Sequence, residues 1–145
     1  MKTYSRHASA RWLGTRQRGK GAIKTPSAAL KVAFHAVDSE AKGGGTNPAE
    51  LIAAAIAGSF SLTLADELGQ AGYKPQAIDT IATVTVEHLA PGWTLTQIVL
   101  AVTAAVPKAA ECDFVDATLL AKANCPISRA LHANTLMTAK LIRNS

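Results

Sequence analysis

The 145-residue chain contains little cysteine and no hydrophobic run long enough to span a bilayer. Its two cysteines, Cys112 and Cys125, are too few for the disulfide framework of a small secreted protein. The apolar stretch at residues 51–65 carries no charged residue, but its 15 residues are fewer than the roughly 20 that cross a bilayer. No apolar stretch interrupts the basic residues of positions 1–20, so no signal peptide is indicated. These absences predict a cytoplasmic protein without a membrane partner.

Acidic residues are missing from the start of the chain. The first is Asp38, whereas eight of the 15 Lys and Arg residues precede Val32. This charge either attracts an anionic partner such as nucleic acid or covers a solvated strand face that meets acidic residues of another segment or subunit. Because the chain has no arginine-rich helix, and because Tyr4 and Trp12 are too few for a stacking platform, the sequence favours the second interpretation.

Patterns typical of metal or cofactor sites are also missing. The histidines are scattered, and none forms a short-spaced pair with another histidine or a cysteine (His7, His35, His88 and His132). This disfavours a zinc site. The glycines at positions 43–45 lack the lysine and the serine or threonine of a phosphate loop. We therefore expect no metal and no cofactor.

What the chain does have is an apolar composition and a clear order of secondary structure. Hydrophobic residues make up 48% and charged residues 17% of it, which predicts a single folded domain over residues 1–145. Alternation and turn residues predict strands at positions 7–13, 21–25, 29–36, 78–88, 94–106 and 135–143. Helical signals cover positions 48–68, 113–124 and 126–131. Strands and helices in separate blocks predict an α+β fold with largely antiparallel sheet.

The longest predicted helix, residues 48–68, has a well-marked start and an unusual composition. Asn47 can cap it, Pro48 suits its first position and Glu50 can complete a capping box. From position 51 to position 64 its residues are apolar or small on every side. We therefore expect this helix to be buried in the middle of the fold.

Cys125 is the strongest candidate for chemistry. It precedes Pro126 at a predicted helix start, where the positive end of the helix dipole favours the thiolate. A buried structural thiol remains the alternative. Ser59 lies inside the long helix, away from the strand-to-helix turn of a hydrolase nucleophile, and from pattern alone it is a small residue that allows close packing. We assign no role to Cys112.

Several motifs resemble the OsmC/Ohr family, the osmotically inducible protein C and organic hydroperoxide resistance proteins. They are GTNPAELIAAA at 45–55, the Phe-Ser pair at 60–61 and AKANCPIS at 121–128, and residues 18–21, 78–80 and 106–107 match the OsmC branch. The resemblance covers essentially the whole chain. It implies an OsmC-like fold, an intertwined homodimer with antiparallel sheets around a buried central helix, and active sites at the subunit interface.

The resemblance also implies a thiol cycle, but the match to its residues is partial. In the family a peroxidatic cysteine in the central helix attacks an organic hydroperoxide, a resolving cysteine in the Cys-Pro motif forms a disulfide with it, and an external dithiol resets the enzyme. Cys125 takes the resolving position, whereas the peroxidatic position falls on Ser59, whose hydroxyl is not oxidisable. In the family, a glutamate and an arginine hold the reactive thiolate and orient the peroxide. The position of that glutamate falls on Ala49 here. Glu50 follows it about 100° further round the helix and so points elsewhere.

The family's arginine and the origin of Ser59 leave alternatives open. The arginine of the OsmC branch falls near Val37, while Arg18 matches the position from which the Ohr branch supplies its arginine, so Arg18 is a candidate cation. Ser59 is either an engineered change or a natural divergence. Because the glutamate is replaced as well, natural divergence is the favoured explanation.

Three functions follow from the sequence. The first is an OsmC-type oxidative or osmotic stress-response protein of the thiol-dependent organic hydroperoxide peroxidase class, with any thiol chemistry resting on Cys125 and a dithiol as reductant. The alternative is a diverged, non-catalytic homodimer that binds an apolar small molecule in the pocket at its interface. The third, less favoured, is a basic module for nucleic acid or another anion.

Overall fold

The computed structural model describes residues 1–38 and 44–142. Its elements follow the predicted order, and the α+β class is confirmed. The chain divides into two compact units, Met1–Leu51 and Ile52–Ser145, and its treatment as one domain stays a prediction. The elements are β1 (Ser9–Leu13), β2 (Lys20–Lys24), β3 (Lys31–Phe34), α1 (Pro48–Gln70), β4 (Ala77–Leu89), β5 (Gly92–Ala105), α2 (Glu111–Asn124), α3 (Pro126–Ala130) and β6 (Asn134–Ile142). Gly43, part of the predicted glycine loop, and Arg143, the predicted end of the last strand, lie outside the described residues.

The first unit contains an antiparallel sheet in the order β1-β2-β3. Gly21 on its central strand stands opposite Trp12 on one side and Phe34 on the other. A Cβ at Gly21 would lie 2.5 Å from Trp12 Cε3 and would also overlap the Phe34 ring. The missing side chain therefore lets the two rings meet across the middle strand, with centroids 5.2 Å apart.

Of the two capping hydrogen bonds predicted at the start of α1, the structure shows the one made by the Asn47 side chain. The Glu50 N–H donates to Asn47 Oδ1 at 2.9 Å, which confirms Asn47 as the cap. The Glu50 carboxylate does not complete the capping box, because it accepts a hydrogen bond from Thr46 Oγ1 at 2.7 Å. Thr46 is buried and its backbone pairs with Ala33 and His35, so its hydroxyl is held beside the helix start.

The second unit contains a sheet in the order β4-β5-β6. β4 and β5 form a long antiparallel hairpin, as predicted, with a register shift between Thr85 and Val86. β6, however, runs parallel to β5, from Gln97 opposite Asn134 to Ala105 opposite Ile142. The prediction of largely antiparallel sheet is therefore confirmed, and the β5–β6 pair is a parallel exception to it. The reason is that α2 and α3 form a crossover, the type of connection that parallel strands require.

The core of the second unit gathers around one stripe of α1. Ile56, Phe60, Leu64 and Leu68 recur every fourth residue and are fully buried, together with apolar residues of β5 and α2. The predicted burial of α1 in the middle of the fold is incomplete in the single chain, since Leu62 is 74% exposed. Among the described residues, the second unit supplies a core on one side of this helix, and the other side is apolar as well.

The length and composition of α1 also fit a membrane span. The 23-residue helix has a mean hydropathy of 1.5 over its best window, of which 22% is buried. Core helices of soluble proteins pass the same test. The helix therefore adds only weak support for membrane insertion, and the expectation of no membrane partner stays a prediction.

Candidate functional site

Cys125 lies at the junction of α2 and α3. Its N–H donates to the Ala121 carbonyl at 2.9 Å, which ends α2, and its carbonyl accepts from the Arg129 N–H at 3.0 Å, which begins α3. The junction follows from the sequence, because Pro126 cannot continue a helix and pushes the preceding residue into extended backbone, here with ψ of 115°. The Cys125 side chain is fully buried.

A tyrosine holds the other end of α2. Ala110, the N-cap residue of α2, forms no side-chain hydrogen bond with the first turn of the helix. The Tyr73 hydroxyl, from the loop after α1, lies there and donates to the Asp113 carboxylate at 2.5 Å. This hydrogen bond raises the pKa of Tyr73, so the phenol stays protonated and remains a donor. The crossover that carries Cys125 is thus tied to the chain segment that follows α1.

The structure brings Ser59 and Cys125 together. They are 66 residues apart in sequence, and the Cys125 thiol donates to Ser59 Oγ at 3.5 Å. Ser59 is half-buried on α1, next to the core residue Phe60. A thiol and a hydroxyl therefore occupy adjacent positions, and their catalytic roles stay a prediction.

Ser128 is a third member of this cluster, which sequence reasoning missed. Its hydroxyl donates to Cys125 Sγ at 3.4 Å from the first turn of α3. Burial raises the pKa of the Cys125 thiol, but hydrogen bonding with the Ser128 hydroxyl and N–H, the Ser59 hydroxyl and the Ile127 N–H lowers it below its ordinary value. Since α3 has only five residues, these local donors favour the thiolate more directly than a helix dipole does.

A cavity of about 450 Å³ opens beside this cluster. Ser128 lines it, along with the cationic side chains of Lys122 and Arg129. Leu119, Ala123, Ala133, Asn134 and Thr135 complete the wall. Because Cys125 is fully buried, a reactant that enters here reaches the thiol only after the cavity wall moves near Ser128.

The other predicted site residues lie in the first unit. Arg18 is exposed in the turn between β1 and β2, where its N–H donates to Thr15 Oγ1 at 3.2 Å. Ala49 is half-buried in the first turn of α1, and Val37 is exposed two positions before residue 39, where the undescribed residues 39–43 begin. Their roles in the thiol cycle stay predictions.

Over residues 1–38 and 44–142, no three side chains of His, Cys, Asp or Glu come together as a group that could hold a metal ion. The second cysteine, Cys112, is free and exposed at the start of α2. The chemistry available in the cluster is therefore that of one thiol and two hydroxyls.

Comparison with known proteins agrees with this architecture. Residues 41–140 match the family model of OsmC-like proteins. The chain is 37% identical over 140 residues to Peroxiredoxin OsmC of Escherichia coli (strain K12), covering 96% of this chain and 98% of that one.

Two solved structures share its fold. An OsmC-like protein from Mycoplasma pneumoniae has a TM-score of 0.79 and 11% identity, covering 98% of this chain and 100% of that one. The organic hydroperoxide resistance protein OhrB of Bacillus subtilis has a TM-score of 0.72 and 20% identity, covering 94% and 98%. The similarity to these solved structures shows the fold alone, whereas the family match and the 37% identity show the family. The chain belongs to the OsmC-like family.

Proposed function

We propose that this protein is a stress-response member of the thiol-dependent organic hydroperoxide peroxidase class, in which Cys125 supplies the thiol. The observation that carries the proposal is the setting of that thiol, which accepts a hydrogen bond from Ser128 and has a lowered pKa. The name of its relative, Peroxiredoxin OsmC, supports the same class. Cys125 would then do alone what a pair of cysteines does elsewhere in the family.

The proposed reaction begins with the Cys125 thiolate. It attacks an oxygen of the hydroperoxide and the O–O bond breaks. The products are a sulfenic acid on Cys125 and an alkoxide, which takes a proton from water to become the alcohol. The sulfur loses two electrons and the peroxide gains them. One thiol of an external dithiol then condenses with the sulfenic acid and releases water. The second thiol attacks the mixed disulfide, which restores Cys125 and leaves the dithiol as an internal disulfide.

In this scheme Ser59 acts on the thiolate and takes no part in electron transfer. A hydroxyl has no oxidation chemistry comparable to that of a thiol. At 3.5 Å its hydroxyl can donate a hydrogen bond to the thiolate, as Ser128 does at 3.4 Å. We infer that the two serines together hold the charged form of Cys125 in a buried setting.

The test is consumption of cumene hydroperoxide with dithiothreitol as reductant. We expect consumption that Cys125→Ala abolishes and Cys112→Ser leaves unchanged, with a dimedone adduct on Cys125. The rate should follow the fraction of Cys125 that is thiolate. Because the pKa of Cys125 is lowered, the rate should reach its plateau at a lower pH than it would with a thiol of ordinary pKa. Ser128→Ala removes a donor to the thiolate and should move the rise in rate to higher pH, with an activity loss of about fivefold to tenfold at neutral pH.

Turnover no faster than that of Cys125→Ala, with no dimedone adduct, would rule out this chemistry. A pH profile that Ser128→Ala leaves in place would contradict the part assigned to Ser128, even if Cys125 proves reactive.

A second candidate function is a non-catalytic binder of an apolar molecule. It is favoured by a cavity of about 440 Å³ in the first unit whose walls are largely apolar. Trp12, Phe34, Ala36 and Pro48 line it together with Gly14, Arg16 and His35. Native mass spectrometry after gentle purification distinguishes the two functions. A copurified apolar molecule, with no peroxide turnover, would support the binder, and an empty protein would count against it.

We propose further that the protein is a homodimer that uses the exposed side of α1. That side carries small and apolar residues, including Ala54, Ala55 and Gly58, and Leu62 at 74% exposure. Exposed apolar faces of this kind are typical of protein interfaces, and small residues let two helices approach closely. A second copy would complete the burial of α1 that the sequence predicted.

A further inference from the structure

The sheet of the first unit has two faces of opposite character. Along each strand, half-buried apolar residues alternate with exposed ones, so that Trp12, Ile23, Val32 and Phe34 share one face. The other face carries four exposed cationic side chains and is called the basic face below: Arg11, Lys20, Lys24 and Lys31.

Strand register brings these cations close together. Lys24 on β2 stands directly opposite Lys31 on β3, which places their Cβ atoms about 5 Å apart. Arg11 on β1 is opposite Ala22, one step along β2 on the same face, and Lys20 is one step further. Three strands and four residue steps give this arrangement an extent of about 10 by 14 Å. The other residues on the face are small or uncharged: Ser9, Leu13, Ala22 and Ala33.

The basic face is unfavourable for the isolated protein. Like charges directly opposite each other destabilise a sheet. In the part of the chain that the structure describes, the ion pair that forms is Arg16 with Asp38, at 2.6 Å, and no carboxylate pairs with a cation of the basic face. From sequence alone, such residues are expected to meet acidic side chains of another segment or subunit. Among the described residues no such ion pair forms, and an external anionic surface would relieve their repulsion.

Against the expectation of no membrane partner, we propose that the basic face docks on the surface of an anionic lipid bilayer. Three of its four cations are lysines, whose flexible stems present point charges to a surface of headgroups without requiring a fixed geometry. Each basic side chain near such a surface strengthens binding about fivefold, so four together contribute several hundredfold at low salt.

A nucleic acid fits the same face less well. Proteins that bind single strands offer aromatic side chains for stacking, but Trp12 and Phe34 lie on the opposite face of this sheet. Reading of base edges relies on bidentate contacts such as those of arginine, and the basic face has one arginine. The lysines are set out over a surface rather than on an element that enters a groove.

The experiment is co-sedimentation of the full chain with phosphatidylcholine vesicles that contain or lack 30% phosphatidylglycerol. We expect binding to the anionic vesicles alone, with a loss of at least tenfold between low and physiological salt. The double variant Lys24→Gln/Lys31→Gln should weaken binding about 20-fold or more. Lys74→Gln/Lys108→Gln, which makes the same charge change on exposed lysines of the second unit, should weaken it by less than about threefold.

Three outcomes would overturn the proposal. They are equal binding to neutral vesicles, equal losses in both double variants, and tighter binding to random-sequence duplex DNA than to the anionic vesicles at the same salt. Circular dichroism and melting curves verify that both variants fold. The inference does not rest on the peroxide chemistry, because Cys125→Ala should bind vesicles as the parent protein does.

Discussion

Replacing Ser59 with cysteine is expected to give a protein that closes a disulfide between positions 59 and 125. Ser59 Oγ and Cys125 Sγ are already 3.5 Å apart. Bond formation requires the two sulfur atoms to approach to about 2.05 Å, a movement of roughly 1.5 Å that side-chain rotation and a small backbone shift can supply. The parent chain cannot make this bond, since position 59 carries a hydroxyl.

The second thiol should also raise the rate of the peroxide reaction. A sulfenic acid on either residue would have a thiol beside it, and an intramolecular partner of this kind reacts at least about 100-fold faster than an external thiol at millimolar concentration. Ser59→Cys should therefore consume cumene hydroperoxide far faster than the parent and resist overoxidation. Peptide mass spectrometry without reduction identifies the bond, and a coupled peroxide assay measures the rate.

Ser61→Cys is the matched control for this experiment. Ser61 lies two residues along α1 and its hydroxyl faces β4, with hydrogen bonds to the Ala57 carbonyl and to Thr80 Oγ1, both at 2.8 Å. A cysteine there should not reach Cys125. Both variants are made with Cys112→Ser, so that other disulfides are excluded. A Ser59→Cys protein that stays reduced after peroxide treatment, or a Ser61→Cys protein that cross-links equally well, would show that the two sites are not adjacent in solution.

Replacing Leu62 with glutamate is expected to dissociate the proposed homodimer. Leu62 is 74% exposed in the single chain, so a carboxylate there should not disturb the core of the second unit. In a dimer that covers this side of α1 the same carboxylate would lose water without gaining a partner, which weakens association by at least about 100-fold. Light scattering coupled to size-exclusion chromatography measures the mass of both proteins over a concentration series.

Leu62→Met serves as the control, because it keeps the volume and apolar character of the side chain. It should remain dimeric with the parent, while Leu62→Glu elutes as a monomer with an unchanged circular dichroism spectrum. The interface assignment fails if the parent is itself a monomer or if Leu62→Glu stays dimeric at the same concentrations.

Local sequence signals account for most of the fold. Alternation defined β4 and β5, and Asn47 and Pro48 marked the start of α1, because strand periodicity and helix capping depend on near neighbours in sequence. The direction of β6 could not be obtained in this way. A strand has the same alternation in a parallel and an antiparallel pair, and only the path through α2 and α3 decides between them.

The candidate site was predictable in part. The family motifs located Ser59 and Cys125, and the structure places them in contact. Ser128 was missed because a serine three residues after a cysteine is common, and its hydroxyl reaches the thiol only once α3 has formed. The sequence predicted a basic strand face, but the pairing within it was missed, since strand register is needed to bring Lys24 beside Lys31.

The parallel pairing of β6 has a consequence for how the chain folds. β4 and β5 are joined by a two-residue turn and can pair early, whereas β6 can join the sheet only after the crossover through α2 and α3 has been laid down. Cys125 lies within that crossover. We therefore expect the thiol of Cys125 to become covered late in folding, after β4 and β5 have paired.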